Sequence, residues 1–183
     1  MNISFRPLTK YDANYRNVIG LYKEAFPGAR FIPTWILRYK LRKGKAGFNV
    51  LYADNTWIGL IYTTAYKDII FVQFLAILDS YRSAGLGSKV MDLLREMHSE
   101  KRIVLTIEEI DKHATNYQQR IKRREFYERN GFSSSGYIVK EPSERLEMMI
   151  IGGSISKGEI EELYESLLGG RLGFFFGPEV MKI

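Results

Sequence analysis

The sequence predicts an α/β fold, a mixed and mostly antiparallel twisted sheet flanked by helices, on two observations. Three strand-like runs, Phe48–Ala53, Thr56–Ala65 and Ile69–Leu78, follow one another across the short polar turns Asp54-Asn55 and Lys67-Asp68. Runs joined that tightly pair as an antiparallel meander. The apolar spacing then changes to helical steps at Leu86, Val90, Leu93, Leu94 and Met97, and returns to a strand at Ile103–Ile107. A strand, a crossover helix and a strand in that order imply a central parallel pair with the helix packed across it.

The remaining elements follow from the same patterns. Ile3–Pro7 is a short first strand. From Tyr11 to Phe26, the residues Tyr15, Val18, Ile19, Tyr22 and Phe26 recur at three- and four-residue steps, the stripe of an amphipathic helix. Pro27-Gly28 stops it. Pro33 opens a second helix holding Trp35, Ile36, Tyr39 and Leu41, because the first helical turn does not need the N–H that proline lacks. Its other side carries Arg38, Lys40, Arg42 and Lys43, the centre of a basic stretch Arg38–Lys45 to which no role can be given.

Beyond Asp111 a polar stretch leads into a helix ending near Asn130, where Gly131 stands in the usual closing position. Ser135–Lys140 and Leu146–Ile151 are two more strands. A last helix starts at Ser156, with Glu159 three residues on completing a capping box, and buries Ile160, Leu163, Tyr164, Leu167 and Leu168. The tail 171–183, with Phe174-Phe175-Phe176, is too apolar to float free and should dock on the sheet, but no element can be read in it. The same apolar segment could serve a homodimer.

Composition narrows the class. At 183 residues with 45% hydrophobic and 26% charged, without an internal repeat or a linker, the chain reads as a single domain, 1–183. It contains no cysteine, which removes disulfides, a thiolate nucleophile and cysteine zinc sites and is compatible with a reducing compartment. Met1 to Arg6 lacks the apolar segment of a signal peptide, and no run approaches the roughly 18 apolar residues of a membrane span. A cytoplasmic location without membrane attachment is expected. His98 and His113 lack metal-ligand spacing, so no metal is expected either. The excess of 27 Lys and Arg over 21 Asp and Glu, +6, favours an anionic partner of unspecified kind.

The most informative segment is Asp79-Ser80-Tyr81-Arg82-Ser83-Ala84-Gly85-Leu86-Gly87-Ser88, between the buried third strand of the meander and the crossover helix. Two glycines two apart at a helix start let the backbone approach a ligand and aim unpaired N–H groups at one point. The first-turn amides and the helix dipole favour an anion there, and a pyrophosphate fits. Arg82 adds a fork-shaped donor for phosphate oxygens. The segment is neither a P-loop, which needs Lys-Ser/Thr after its second glycine, nor a dinucleotide fingerprint, which needs a third glycine. Composition alone leaves the alternative of a turn that merely tightens a helix start.

Arg82-Ser83-Ala84-Gly85-Leu86-Gly87 matches the Arg/Gln-x-x-Gly-x-Gly/Ala signature of the GCN5-related N-acetyltransferases (GNAT), and Phe74–Tyr81 looks like the strand before it. About forty residues on, Arg124-Glu125-Phe126-Tyr127-Glu128-Arg129-Asn130-Gly131-Phe132 resembles that family's second hallmark, a Phe-Tyr-x-x-x-Gly-Phe helix end. The resemblance covers most of the chain and stops near Arg171. It implies the acyl-CoA N-acyltransferase fold, with the central parallel pair splayed apart, and an N-acetyltransferase that moves acetyl directly from acetyl-CoA to a primary amine of a small molecule or peptide. It further implies that the main chain of Leu75, Ala76 and Ile77 pairs with the pantetheine arm, their side chains being core. The amides of Ser83, Ala84, Gly85, Leu86, Gly87 and Ser88, with Arg82, would hold the pyrophosphate. Many members carry an Asn seven residues before the tyrosine, where this chain has Arg120.

Tyr127 is the candidate general acid: a departing thiolate needs a proton, and a phenol near pKa 10 can give one at neutral pH. Packing is the rival explanation for an aromatic pair at a helix end. The amine must lose a proton as well, and Glu108 and Glu109 lie at the end of the second parallel strand. Alternation sends them to opposite faces. Glu108, which shares its face with Val104 and Thr106, is favoured, with Asp111 or a water chain as alternatives. The basic run Arg120, Lys122, Arg123 and Arg124 fits the CoA 3′-phosphate, a nucleic-acid patch or a solvated face. A non-catalytic module on the same fold, sensing CoA or binding nucleic acid, is the competing function. Nucleic acid is disfavoured because the positive residues are spread along the chain without a clustered aromatic platform.

Overall fold

Among the described residues eight strands make one sheet: Ile3–Pro7 (β1), Ala46–Ala53 (β2), Thr56–Tyr66 (β3), Ile69–Ile77 (β4), Arg102–Glu108 (β5), Ser133–Glu141 (β6), Glu144–Ile151 (β7) and Glu179–Lys182 (β8). Their spatial order is β1-β2-β3-β4-β5-β7-β6-β8, mostly antiparallel, with β4 and β5 as the parallel pair. Four α-helices accompany it among the described residues: Tyr15–Ala25 (α1), Leu86–Met97 (α2), Tyr117–Arg129 (α3) and Lys157–Leu168 (α4). The computed structural model describes residues 1–9, 11–26, 46–82, 84–141, 144–168 and 178–183. The helix expected from Pro33, the basic stretch Arg38–Lys45 apart from its surroundings, Ser83 and the triple phenylalanine of the tail lie outside the described residues. The described chain groups into two compact units, Met1–Ala65 with Val72–Ser99, and Tyr66–Phe71 with Glu100–Ile183.

In the first unit β1, β2 and β3 form antiparallel pairs in registers Ile3↔Ala53 and Ala53↔Thr56. The two-residue turn expected at Asp54-Asn55 is present, with Asp54 at φ 54 and its carboxylate accepting the Asn2 N–H at 2.9 Å. An aspartate tolerates that left-handed conformation better than most residues. Alternation then places Phe48, Val50 and Tyr52 of β2, Leu60 and Tyr62 of β3, and Phe74 and Ala76 of β4 in one core, closed by Val18, Leu21 and Tyr22 of α1. Its aromatic rings meet edge-on, Tyr22 to Phe74 at 5.1 Å and Phe48 to Tyr62 at 5.8 Å. Gly59 lets β3 lie close against β4: a Cβ there would stand 2.1 Å from the Ala76 carbonyl oxygen.

The second unit is built on β5, β7 and β6, with Ile103↔Ile151 and Glu108↔Leu146 in one register and Ile138↔Glu147 in the next. Val104, Met148, Ile150 and Val139 pack with Ile69 and Phe71 under Ile155, Ile160, Leu163 and Tyr164. The capping box is formed: the Ser156 N–H donates to Glu159 Oε2 at 2.8 Å, and the Glu159 N–H to Ser156 Oγ at 3.3 Å. Arg102 ties three segments together, donating to both Asp68 oxygens at 2.7 and 2.9 Å, to Glu159 at 2.7 Å and to the Ser154 carbonyl at 2.6 Å. The end of the tail, for which no element was expected, is the edge strand β8, paired with β6 through Ile138↔Met181 and Val139↔Val180. Docking buries Val180. Four residues bounded by Glu179 and Lys182 are too few for alternation to stand out in a sequence.

Candidate functional site

Within the first unit, the end of β4 and the start of α2 contain the described residues expected to hold the donor, Leu75, Ala76, Ile77, Arg82, Ala84, Gly85, Leu86, Gly87 and Ser88. Of the three strand residues, Ala76 is buried in the core, whereas Leu75 and Ile77 are half-buried, so the expectation of three core side chains is corrected for two of them. Their main chains also differ. The Leu78 N–H donates to the Ile58 carbonyl at 2.9 Å, and the Ala76 carbonyl faces Gly59. Successive residues of a strand turn their backbone groups to opposite sides. Ala76 and Leu78 therefore face β3, and Leu75 and Ile77 direct their N–H and C=O groups away from it.

A single 3₁₀ turn, Asp79–Tyr81, carries the chain from β4 to Arg82, whose N–H donates to the Asp79 carbonyl at 3.2 Å. The Arg82 side chain folds back across this turn. Its Nε donates to the Ile77 carbonyl at 3.1 Å, and its Nη2 lies 2.8 Å from Asp79 Oδ1. Two of the five N–H groups of the guanidinium are engaged this way.

Gly85 precedes α2 at φ 72, with open space around it. The backbone conformation, and not crowding, selects glycine at this position. Leu86 is anchored in the core, Gly87 and Ser88 are half-buried, and Ala84 and Gly85 are exposed. The Lys89 N–H makes the first helical bond, to the Gly85 carbonyl at 3.3 Å. The amides of Leu86, Gly87 and Ser88 thus have no acceptor within the helix. Among the described residues no side chain caps this end, and no acid lies in the first turn. The contrast with the closed capping box of α4 is chemical: this helix start keeps its N–H groups and positive dipole end available to an anion.

The second unit holds the two residues expected to move protons. Tyr127 lies in the last turn of α3, its ring edge-on to Phe126 at 5.0 Å and Phe132 at 5.7 Å. The helix end fixes that arrangement. Gly131 at φ 87 reverses the chain, the Phe132 N–H donates to the Tyr127 carbonyl at 3.1 Å, and Asn130 donates through its side chain to the Phe126 carbonyl at 2.6 Å. The Phe-Tyr and Gly-Phe pairs are therefore joined by one helix-closing motif. Tyr127 as a residue is half-buried, but its hydroxyl end is crowded by protein atoms. Burial pushes the phenol above 10, and the charge of Arg123 opposes that shift.

Glu108 ends β5 and is buried, with its carboxylate paired to Arg123 of α3. Ile103, Val104, Leu105 and Ile107 are all buried too, so both faces of β5 are covered. Glu109 is held by Arg145 through two hydrogen bonds, at 2.5 and 3.2 Å, and that guanidinium keeps its carboxyl below the usual glutamate range. Asp111 accepts the His113 N–H at 2.9 Å at the start of a turn.

The basic run of α3 is largely engaged within its own unit. Arg120 donates to Asn116 Oδ1 and to the Glu109 carbonyl, both at 2.7 Å. Arg124 donates to Glu147 and Glu128, both at 3.0 Å. With Arg123 on Glu108, the three arginines have protein acceptors, while Lys122 is exposed. Glu147 is 4% exposed and was not foreseen; its signal is a lone acid within the apolar run Leu146–Ile151. Among the described residues no group of three or more His, Asp or Glu side chains converges as a metal site.

Residues 44–134 match the family model described as the acetyltransferase (GNAT) domain, and the chain belongs to that family. Comparison with curated proteins gives no match. Among solved structures, a protein of Bacteroides thetaiotaomicron assigned to the GNAT acetyltransferases is 24% identical with a TM-score of 0.75, over 93% of this chain and 98% of that one. Arabidopsis thaliana Naa50, in complex with the bisubstrate analogue CoA-Ac-MVNAL, is 19% identical with a TM-score of 0.59, over 84% of this chain and all of that one, 100%. The spermidine N-acetyltransferase of Vibrio cholerae, in complex with CoA and spermine, is 16% identical with a TM-score of 0.60, over 81% and 94% of the two chains. At these identities the likeness is one of fold.

Proposed function

We propose that the protein transfers acetyl from acetyl-CoA directly to a primary amine of a small molecule or peptide. The observation that carries this reading is the start of α2, where Gly85 stands at φ 72 and three first-turn amides have no helical acceptor and, among the described residues, no side-chain cap. That arrangement fits a pyrophosphate. The amides from Ser83 to Ser88 hold the phosphates, with Arg82 adding donors. Leu75 and Ile77 offer main-chain groups to the pantetheine arm, and Ala76 keeps the strand seated on Gly59. Tyr127 gives a proton to the departing thiolate. Glu108 takes the proton that the ammonium form of the acceptor must lose, directly or through water, since an alkylamine of pKa near 10.4 is almost wholly charged at neutral pH. The chain has no cysteine, so acetyl cannot rest on a protein thiol. The reading requires no metal and places the reaction in the cytoplasm.

One observation favours a second reading, donor binding without transfer: Glu108 is ion-paired with Arg123, and a paired carboxylate is a weaker base. A thiol-release assay over polyamines, aminoglycosides and peptide N-termini separates the two, alongside thermal melting with CoA, acetyl-CoA and a short DNA duplex. Transfer predicts stabilisation by both CoA species and thiol release with at least one amine. It also predicts a fall in kcat of about 10²–10⁴-fold in Tyr127→Phe with melting little changed, the range a positioned acid supplies. Stabilisation by duplex alone, or an unaltered rate in Tyr127→Phe at every pH, refutes the reading.

A further inference from the structure

We propose that Arg123 is a positioning residue: anchored by Glu108 and set one helical turn before Tyr127, it makes the Tyr127 hydroxyl a usable proton donor. The inference rests on Tyr127 being the acid. Its starting point is a conflict within the site. The crowding that fixes the Tyr127 ring between Phe126 and Phe132 also disfavours the phenolate, and a phenol that resists ionising is a poor acid. Negative charge develops on that oxygen as the proton leaves, so a cation held beside it favours the transition state over the ground state.

Arg123 meets that need through sequence spacing and one contact. Residues four apart lie on the same side of a helix, which puts Arg123 and Tyr127 in line along α3. Glu108, buried at the end of β5, fixes the guanidinium end, and a side chain as long as arginine would otherwise sample many rotamers. The neighbouring charges are committed elsewhere. Glu109 of β5 is held by Arg145, Glu147 of β7 by Arg124, and Arg124 also holds Glu128, while Arg120 is drawn to Asn116 and the Glu109 carbonyl. The pair Glu108–Arg123 is thus the charge pair aligned with the tyrosine.

The two partners should shift the phenol in opposite directions. In Arg123→Met the cation is gone and the Tyr127 phenol should titrate higher, because the charge that opposes its burial has been removed. In Glu108→Gln the cation is no longer offset, and the phenol should titrate lower. Ring-labelled tyrosine NMR of the intact protein reads both, with Tyr127→Phe assigning the resonance. In the transfer assay, Arg123→Met should lower kcat about tenfold with KM for acetyl-CoA little changed. Arg123→Lys, which keeps the charge, should recover most of the phenol shift. Resonances that do not move, or that move the same way in both variants, overturn the proposal. If Arg123→Met does not fold, the double variant Arg123→Met/Glu108→Leu removes both charges together, and a phenol no higher than in the native protein is then the refuting result. An unchanged rate in Tyr127→Phe defeats the underlying reading instead, whatever the arginine does.

Discussion

Replacing Arg102 with methionine removes a guanidinium that joins the β3–β4 turn, the first residue of β5 and the start of α4. Methionine keeps much of the stem that passes Gly152 and Gly153. The loss includes two hydrogen bonds to Asp68, one to Glu159 and one to the Ser154 carbonyl. The Arg102 side chain is 17% exposed, Asp68 54% and Glu159 34%, so solvent screens the acidic partners much more than the arginine. An exposed pair contributes up to about 1 kcal/mol, and a charge-assisted bond to a carbonyl about 1.5 kcal/mol or more. After discounting for exposure, the expected loss is about 3 kcal/mol, a large share of a typical 5–15 kcal/mol total. For a chain of this size that lowers Tm by roughly 6–12 °C.

The pH dependence of that loss gives the sharper test. Glu159 is held down at about 2 by Arg102 and by its bonds to Ser156, against an ordinary value of 4.5. A depressed carboxyl contributes stability that is present above 4.5 and is lost as pH falls toward 2. Thermal melting by circular dichroism should therefore show the full gap between native and Arg102→Met proteins at pH 7 and a narrower one near pH 3. The Ser156 bonds persist in the variant, so part of the acid sensitivity remains in both. A variant melting within about 2 °C of the native protein at pH 7, less than about 1 kcal/mol on the same scale, or a gap that does not narrow in acid, refutes the reasoning.

Two further substitutions probe the donor side of the site. Gly59→Ala forces a Cβ against the Ala76 carbonyl oxygen, 2.1 Å away, so backbone must move; about 2 kcal/mol or more of stability should be lost, and KM for acetyl-CoA should rise because β4 shifts. Unchanged melting would show that β3 can absorb the methyl. Gly85→Ala meets open space but must hold φ 72, a strain of about 1–2 kcal/mol. The stabilisation that CoA confers in thermal melting should shrink, and a variant that CoA stabilises as strongly as the native protein would argue against a role for that conformation.

Local rules account for what could be read in the sequence. The Asp54-Asn55 hairpin, the Ser156–Glu159 box and the Gly131 helix closure each depend on residues within a few positions of one another, and each is present as expected. The features that escaped are set by distant partners. Placing β7 between β5 and β6 requires a connection that alternation does not encode, and β8 gains its strand character from pairing with β6. The two proton-handling candidates were identifiable as residue types at plausible positions. Their surroundings were not, because the partner of Glu108 lies 15 positions away on a helix whose arginines resemble an ordinary solvated face.

The folded-back Arg82 has a consequence for how the protein behaves between ligands. A strand end with outward-facing carbonyls invites pairing with any extended chain it meets, and proteins commonly guard such edges with charge. At Ile77 the guard is a guanidinium already bonded to the carbonyl and steadied by Asp79. A long charged side chain there makes a poor platform for another strand, yet it is tied only by surface-type contacts that exchange readily with water. The residue that opens the family signature thus occupies the outward-facing carbonyl of Ile77 with its own guanidinium.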